Sequence, residues 1–237
     1  MAAKSKPEQI IFNPPLICFK DREAAANLLF EKIKGVEWVE PLVLAIPRGG
    51  VVTGAILAKK LGAELDVIIA RKLRCPWSSE LAIGAVAEGG RSYLTSLGEQ
   101  ILKENPEYLE EEITQQSEDI QNWISWLRNI KPKSPWRDRT VILTDDGIAT
   151  GATFFTALEV VRAENPLELI AVVPVLPKDC LKELKSRCDK LFYLSVPEGF
   201  YAVGQFYQDF KSIGFDKVSA LLSENQLSLL EKKKLPN

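Results

Sequence analysis

Residues 42–46, LVLAI, are apolar at every position, and residues 141–144, VILT, very nearly so; each run passes at once into turn residues and then into a helical stretch. A strand with one face in water alternates apolar and polar side chains. A run that is apolar throughout is covered on both faces, as strands of parallel sheets are. Residues 67–70 and 169–175 repeat the pattern, and 191–194 supply a last short strand. Helices fit after them, following Gly50 to about Leu61, following Gly151 to about Ala163, and from Asp179 to about Cys188. Strands alternating with helices over short loops form βαβ units, so the expected fold class is α/β with a mainly parallel sheet.

The remaining segments are less regular. Asp21 is placed to cap a helix with Ala25, Leu28, Leu29 and Ile33 on one face. The strand at 67–70 ends at Arg71-Lys72. Residues 73–97 form a long excursion, read as an antiparallel hairpin turning at Glu88-Gly89-Gly90-Arg91. Residues 99–130 are helical, with a break at Pro106 and an apolar face of Ile113, Ile120, Ile124, Leu127 and Ile130. Trp123 and Trp126 border that face as packing aromatics. Residues 131–139 read as a linker. The tail from Pro197 alternates aromatics with turn residues, and a helix follows Asp216.

Composition limits the chemistry. The 237 residues carry 30 basic and 32 acidic side chains, a net charge of −2, which gives no general electrostatic hold on nucleic acid. There is no histidine, so a Ser-His-Asp or Cys-His nucleophile and a Cys/His zinc site cannot form. Cys18, Cys75, Cys180 and Cys188 show no CxxC spacing and suit reduced thiols. The first residues lack the apolar core of a signal peptide, and no stretch approaches the roughly 20 apolar residues of a membrane span. The expectation is a cytoplasmic protein without a membrane partner.

The segment that carries chemistry is residues 141–153, VILTDDGIATGAT. A buried strand ends in Asp145 and Asp146; Gly147 and Gly151 bracket a tight loop; Ala149, Thr150, Ala152 and Thr153 complete it, and a helix begins. Backbone N–H groups at such a helix start converge on one spot, where the helix dipole also favours an anion, so the loop suits a phosphate monoester. The carboxylates would repel phosphate but suit sugar hydroxyls or magnesium. No GK[ST] follows, so this is not a Walker A loop.

DDGIATGAT after four mainly apolar residues resembles the phosphoribosyl-diphosphate motif of type I phosphoribosyltransferases. AIPRGG at 45–50 resembles the diphosphate loop of that family, and Arg71-Lys72 matches its basic position after the next strand. Residues 73–97 stand where the family has a mobile active-site loop. ELAIGAVAEGG at 80–90 and GFYAVGQFYQDF at 199–210 resemble an uncharacterised bacterial branch. The resemblance implies one domain over residues 1–237: a doubly wound core at about 21–195, with the mobile loop at 73–97 and a helical insertion at 99–130, under a small hood from residues 1–20 and 196–237.

It also implies roles. Asp145 and Asp146 would contact the ribose 2′- and 3′-hydroxyls and reach magnesium through the ribose or water. Residues 149–153 would hold the 5′-phosphate. Arg48, Gly49 and Gly50 would bind the diphosphate, which Arg71 and Lys72 would neutralise. Phe200, Tyr201, Phe206 and Tyr207 are candidates to stack on a nucleobase-like acceptor, and Glu80 and Glu88 to act as a base or close the loop. Ala149 stands where 6-oxopurine enzymes have an acid, which turns the reading away from hypoxanthine or guanine. The implied reaction transfers the phosphoribosyl group from phosphoribosyl diphosphate to nitrogen, with magnesium as cofactor. A binding regulator without catalysis, and a phosphoribosyl-diphosphate hydrolase, are the alternatives. The family also suggests a homodimer, with the helix at 110–130 and its tryptophans in the interface.

Overall fold

The computed structural model describes residues 18–234. Its centre is a five-stranded parallel sheet ordered β2-β1-β6-β7-β8: β2 Glu64–Val67, β1 Leu42–Ala45, β6 Thr140–Thr144, β7 Glu168–Val175 and β8 Lys190–Ser195. Successive side chains on these strands enter two different cores. Val43, Ala45, Ile142, Ile170 and Val172 face one; Leu42, Leu44, Val141, Leu143, Leu169, Ala171 and Val173 face the other. Helices α1 (Arg22–Ile33) and α2 (Gly50–Leu61) supply the first core with Ala25, Leu29, Ile33, Val51 and Leu57. Helices α5 (Ala152–Ala163) and α6 (Cys180–Arg187) supply the second with Phe154, Leu158, Val161 and Leu184. The continuous apolar runs are thus explained: both faces of each strand are buried. Asp21 caps α1 by accepting from the Ala24 N–H at 2.7 Å, whereas Leu28 turns outward. Asp179 stands at the start of α6 but makes no capping bond with its side chain.

Residues 64–97 fold differently from expectation. The parallel strand β2 stops at Val67, where a strand was expected to start, and β3 (Ala70–Cys75) belongs to a second, antiparallel sheet with β4 (Ser78–Ala87) and β5 (Ser92–Leu94). Arg71 and Lys72 therefore lie within β3. The turn between β4 and β5 spans residues 88–91, as the Gly89-Gly90 pair suggested. Most of the excursion is packed rather than loose: Leu73, Ile83, Ala85 and Val86 are fully buried, and Tyr93 sits edge-on against Phe155 at 5.7 Å. The exposed parts are narrower, at the tip around Pro76 and Trp77 and at the β4–β5 turn, residues 89–92.

Helix α3 (Ser96–Glu104) ends at Asn105, which caps α4 (Pro106–Ile130). Pro106 is the first residue of α4, where its missing N–H removes no helical bond. Leu109, Ile120 and Leu127 bury the inner face of α4. Trp123 and Trp126 pack on Phe215, with ring centroids 4.4 and 5.2 Å away, so they join α4 to α7 (Phe215–Lys234) within the chain. No helix among the described residues is long and apolar enough to cross a membrane.

An edge strand exposes unpaired donors, and β2 is such an edge. Here side chains take them: the Leu65 N–H donates to Asn225 of α7 at 2.8 Å, and the Val67 N–H to Asp66. The segment 131–139, expected as a plain linker, lies along this edge. Its Ser134 N–H donates to the fully buried Asp66, which also pairs with Arg128 at 2.8 Å. Glu64 accepts from Lys131 at 2.9 Å, the Ser134 hydroxyl at 2.7 Å and Arg139 at 2.8 Å. Burial alone would push the Glu64 carboxyl up; these three donors outweigh it and hold it down at about 2. A depressed carboxyl stabilises the fold above its ordinary range and loses that contribution as pH falls toward about 2. Glu64→Gln should therefore destabilise the protein by about 1–2 kcal/mol at pH 7, less than the whole shift because solvent still reaches the side chain. In urea melts the gap to wild type should shrink steadily below pH 4; a gap independent of pH would refute the assignment.

Candidate functional site

The strand order reverses between β1 and β6: the chain leaves β1 toward β2 and leaves β6 toward β7 and β8. In open α/β sheets the crevice for ligands forms at such a switch point, beyond the carboxyl ends of the strands. The register levels those ends, with Ala45 opposite Thr144 and the Ile46 N–H bonded to the Thr144 carbonyl at 3.0 Å. Two loops consequently leave the sheet side by side: 46–49 from β1, and 145–151 from β6.

The loops touch. A Cβ on Gly49 would lie 1.8 Å from Asp146 Oδ2, and one on Gly50 would lie 2.8 Å from Asp145 Cα. Only glycine allows this approach. The Pro47–Arg48 peptide bond is cis. Gly151 has φ +82°, a left-handed conformation that turns the chain into α5. Neither α2 nor α5 has a side-chain cap, and both helices start directly after these two loops; in α2 the Val51 and Val52 N–H groups turn back to the Arg48 and Gly49 carbonyls at 3.2 and 3.1 Å. The β6 loop is pinned from below by the Ile148 N–H, which donates to Val175 O at 2.9 Å, and by the Thr144 hydroxyl, which donates to Val172 O at 2.6 Å.

Asp145 and Asp146 are held unequally. Asp145 Oδ1 accepts from the Asp146 N–H at 2.7 Å and has no ion pair among the described residues. Burial, then the charge of Asp146, lift its carboxyl well above the usual range. Burial also raises Asp146, but Arg22 opposes it: Arg22 Nε lies 2.6 Å from Asp146 Oδ2. The guanidinium donates through Nη1 to the Lys211 carbonyl at 2.9 Å and lies 3.8 Å over the Phe210 ring. Tyr207 donates its hydroxyl to the Asp146 carbonyl at 2.6 Å. Burial raises Tyr207, so that donor stays protonated.

The other expected residues are distributed around this centre. Arg48 is exposed, 5.8 Å over Phe215. Gly147 and Ala152 are buried, Ala149 and Thr153 half-buried, and Thr150 exposed. Arg71 pairs with Asp119 of α4 at 2.8 Å. Lys72 points to the opposite face of β3, is exposed, and has no ion pair among the described residues. Phe206 and Tyr207 are buried, Phe200 rests on Phe206 at 5.0 Å, and Tyr207 stacks on Phe210 at 4.9 Å. Tyr201 alone stands free, 93% exposed. Glu88 is buried beside β2 and pairs with Lys133 at 3.1 Å, away from the acid pair's contacts. The side chain of Glu80, like residues 1–17 of the expected hood, lies outside the described part. What is described of the hood is a short ladder: the Phe19 N–H bonds to Phe206 O, and the Gln208 and Asp209 N–H groups bond to Phe19 O and Lys20 O. Helix α7, expected in the hood, instead packs beside α2 and β2.

Sequence reasoning missed Arg22. Its signal was available: a cation on the first turn of a helix opposes the helix dipole, so something nearby must hold it there.

The chain belongs to the phosphoribosyl transferase domain family, whose model matches residues 11–211. It is 33% identical over 204 residues to proteins from two strains of Mycobacterium tuberculosis, CDC 1551 / Oshkosh and ATCC 25618 / H37Rv, provisionally named phosphoribosyl transferases. The alignment covers 86% of this chain and 46% of theirs, so the chain spans about half the length of these relatives. Among solved structures, TT1426 from Thermus thermophilus is 38% identical, with a TM-score of 0.75 over 88% of this chain and 99% of that one.

Because the charged form of Asp145 is disfavoured in the fold, it lowers stability as pH rises past the ordinary carboxylate range. Asp145→Asn should raise the ligand-free melting temperature by about 2–4 °C at pH 7, the effect of roughly 1 kcal/mol in a domain of this size. The gain should vanish below pH 3, where both states are protonated; a lower melting temperature at pH 7 would refute the strained-charge account.

Proposed function

We propose that the protein is a phosphoribosyltransferase that takes phosphoribosyl diphosphate and magnesium, and transfers the phosphoribosyl group to a nitrogen of a nucleobase-like acceptor. One observation carries this reading: the acid pair of β6, the glycine loop after β1 and the uncapped start of α5 meet at the switch point of the sheet. Hydroxyls of a ribose suit Asp145 and Asp146. The phosphate monoester suits residues 149–153, and the diphosphate suits Arg48, Gly49 and Gly50.

Magnesium fits this donor set. No group of three or more His, Cys, Asp or Glu gathers among the described residues, but magnesium characteristically uses one or two carboxylates together with substrate phosphates and water. Asp145, lifted and without an ion pair, and Asp146 would hold it through the ribose or water, and it would supply charge to the departing diphosphate. The bond broken joins ribose C1 to the diphosphate oxygen; the bond formed joins C1 to the acceptor nitrogen. Charge builds on the leaving diphosphate, so cations and backbone N–H groups aimed at it lower the barrier. Lys72 has no ion pair among the described residues to give up for that task, whereas Arg71 would have to leave Asp119. Closure of the exposed tip around Trp77 would keep water from C1. Of the tail aromatics first considered, exposed Tyr201 and half-buried Phe200 are the ones left to stack on an acceptor. The free cysteines fit a reducing, cytoplasmic setting. A homodimer is part of the proposal, with helix α4 and its tryptophans at the interface.

A panel of purine, pyrimidine and pyridine bases, each incubated with phosphoribosyl diphosphate and magnesium, tests the reading. Release of one diphosphate per base consumed is expected with at least one of them. Tight binding without turnover on the whole panel would make the protein a phosphoribosyl-diphosphate-binding regulator, and release without base a hydrolase. Lys72→Ala should raise KM for phosphoribosyl diphosphate about tenfold, the value of one charged hydrogen bond, and Arg71→Ala much less. Equal effects of the two would remove the distinction drawn between them.

A further inference from the structure

Arg22 is built into the site with more contacts than a helix start requires. Its side chain is 9% exposed and that of Asp146 is 13%. The two lie 124 residues apart in sequence. The guanidinium is fixed in three ways: Nε on Asp146 Oδ2, Nη1 on the Lys211 carbonyl, and the plane over Phe210. Lys211 and Phe210 belong to the tail that pairs with residues 19 and 20. Tyr207, from the same tail, bonds the Asp146 backbone. The tail thus grips Asp146 directly through Tyr207 and indirectly through Arg22. Gly49 closes the fourth side, since a Cβ there would lie 3.0 Å from Arg22 Nε.

We propose that Arg22 is a positioning residue that fixes the Asp146 carboxylate for the ribose hydroxyls, using the tail at Phe210 and Lys211 as its anchor. This rests on the reading of the site given above. A carboxylate held by a planar donor presents its remaining lone pairs in one direction. A guanidinium offers five N–H groups in a rigid fork, so it can hold the carboxylate and the tail carbonyl together; an ammonium is a point charge that cannot also stack on the ring. The tail therefore sets the angle of a side chain that it touches through Arg22.

Titration calorimetry with phosphoribosyl diphosphate and magnesium on the full chain tests this, with thermal melts alongside. Arg22→Gln, which keeps a donor but loses the charge and the fork, should weaken binding about tenfold or more. Arg22→Lys, which keeps the charge, should recover only part. In an Asp146→Asn background, Arg22→Gln should add little, because residues that act through one another are not additive. Tyr207→Phe keeps the ring and loses the bond to the Asp146 carbonyl; it should weaken binding several-fold, and it serves if Arg22→Gln does not fold. Unchanged or tighter binding in Arg22→Gln would overturn the inference, as would a full additive loss in the double variant. Full recovery by lysine would overturn the anchoring by the tail. No binding by the wild type would overturn the underlying reading, and this inference with it.

Discussion

Asp145 and Asp146 are adjacent carboxylates at the end of a buried strand, and the cost of holding both charges there organises what surrounds them. Two such groups cannot both ionise freely in a poorly solvated place. The fold answers asymmetrically. Asp146 receives a guanidinium, while Asp145 receives one backbone N–H and is left with a raised carboxyl. The raised group is the one that gains most from an incoming hydroxyl or cation. The site is thus kept in a state that a ligand relieves, at a cost to the stability of the empty protein.

The glycine loop after β1 and the tail are the two walls of this arrangement. Gly49 must lack a side chain because Asp146 and Arg22 already fill the space. The level register of β1 and β6 makes that contact unavoidable, since both strands release their loops at the same height. The antiparallel sheet is tied to the helices that follow β6 and β7: Tyr93 of β5 rests on Phe155 of α5, and its hydroxyl donates to Glu183 of α6 at 3.0 Å. Phe155 in turn limits Gly151, where a Cβ would lie 2.4 Å from its ring.

What the sequence made legible obeys local rules. The apolar runs at 42–46, 141–144 and 169–175 became strands because burial on both faces needs no knowledge of partners. The DDGIATGAT segment stood out for the same reason: acids, glycines and hydroxyls at a strand–helix junction carry their chemistry with them. The error at 64–70 came from Asp66. A charged residue argues locally against a buried strand at 64–66, yet Arg128 and the Ser134 N–H, 62 and 68 residues away, satisfy it. Arg22 escaped for the same physical reason, because its partners lie 124 and 189 residues on. The aromatics of the tail were recognised as a group, but only packing separated buried Phe206 and Tyr207 from solvent-facing Tyr201.

The closed border at β2 also governs how copies of the molecule can meet. With Asn225 and Asp66 taking the Leu65 and Val67 N–H groups of β2, and Ser134 of the 131–139 segment bonded to Asp66, these donors of the border are already taken and are not offered to a foreign strand. Templated β-addition, the route by which open sheets recruit neighbours into fibrous aggregates, is blocked there by side chains rather than by a covering strand. A substitution that frees the Leu65 or Val67 N–H would trade a structural hydrogen bond for an open donor on a sheet edge.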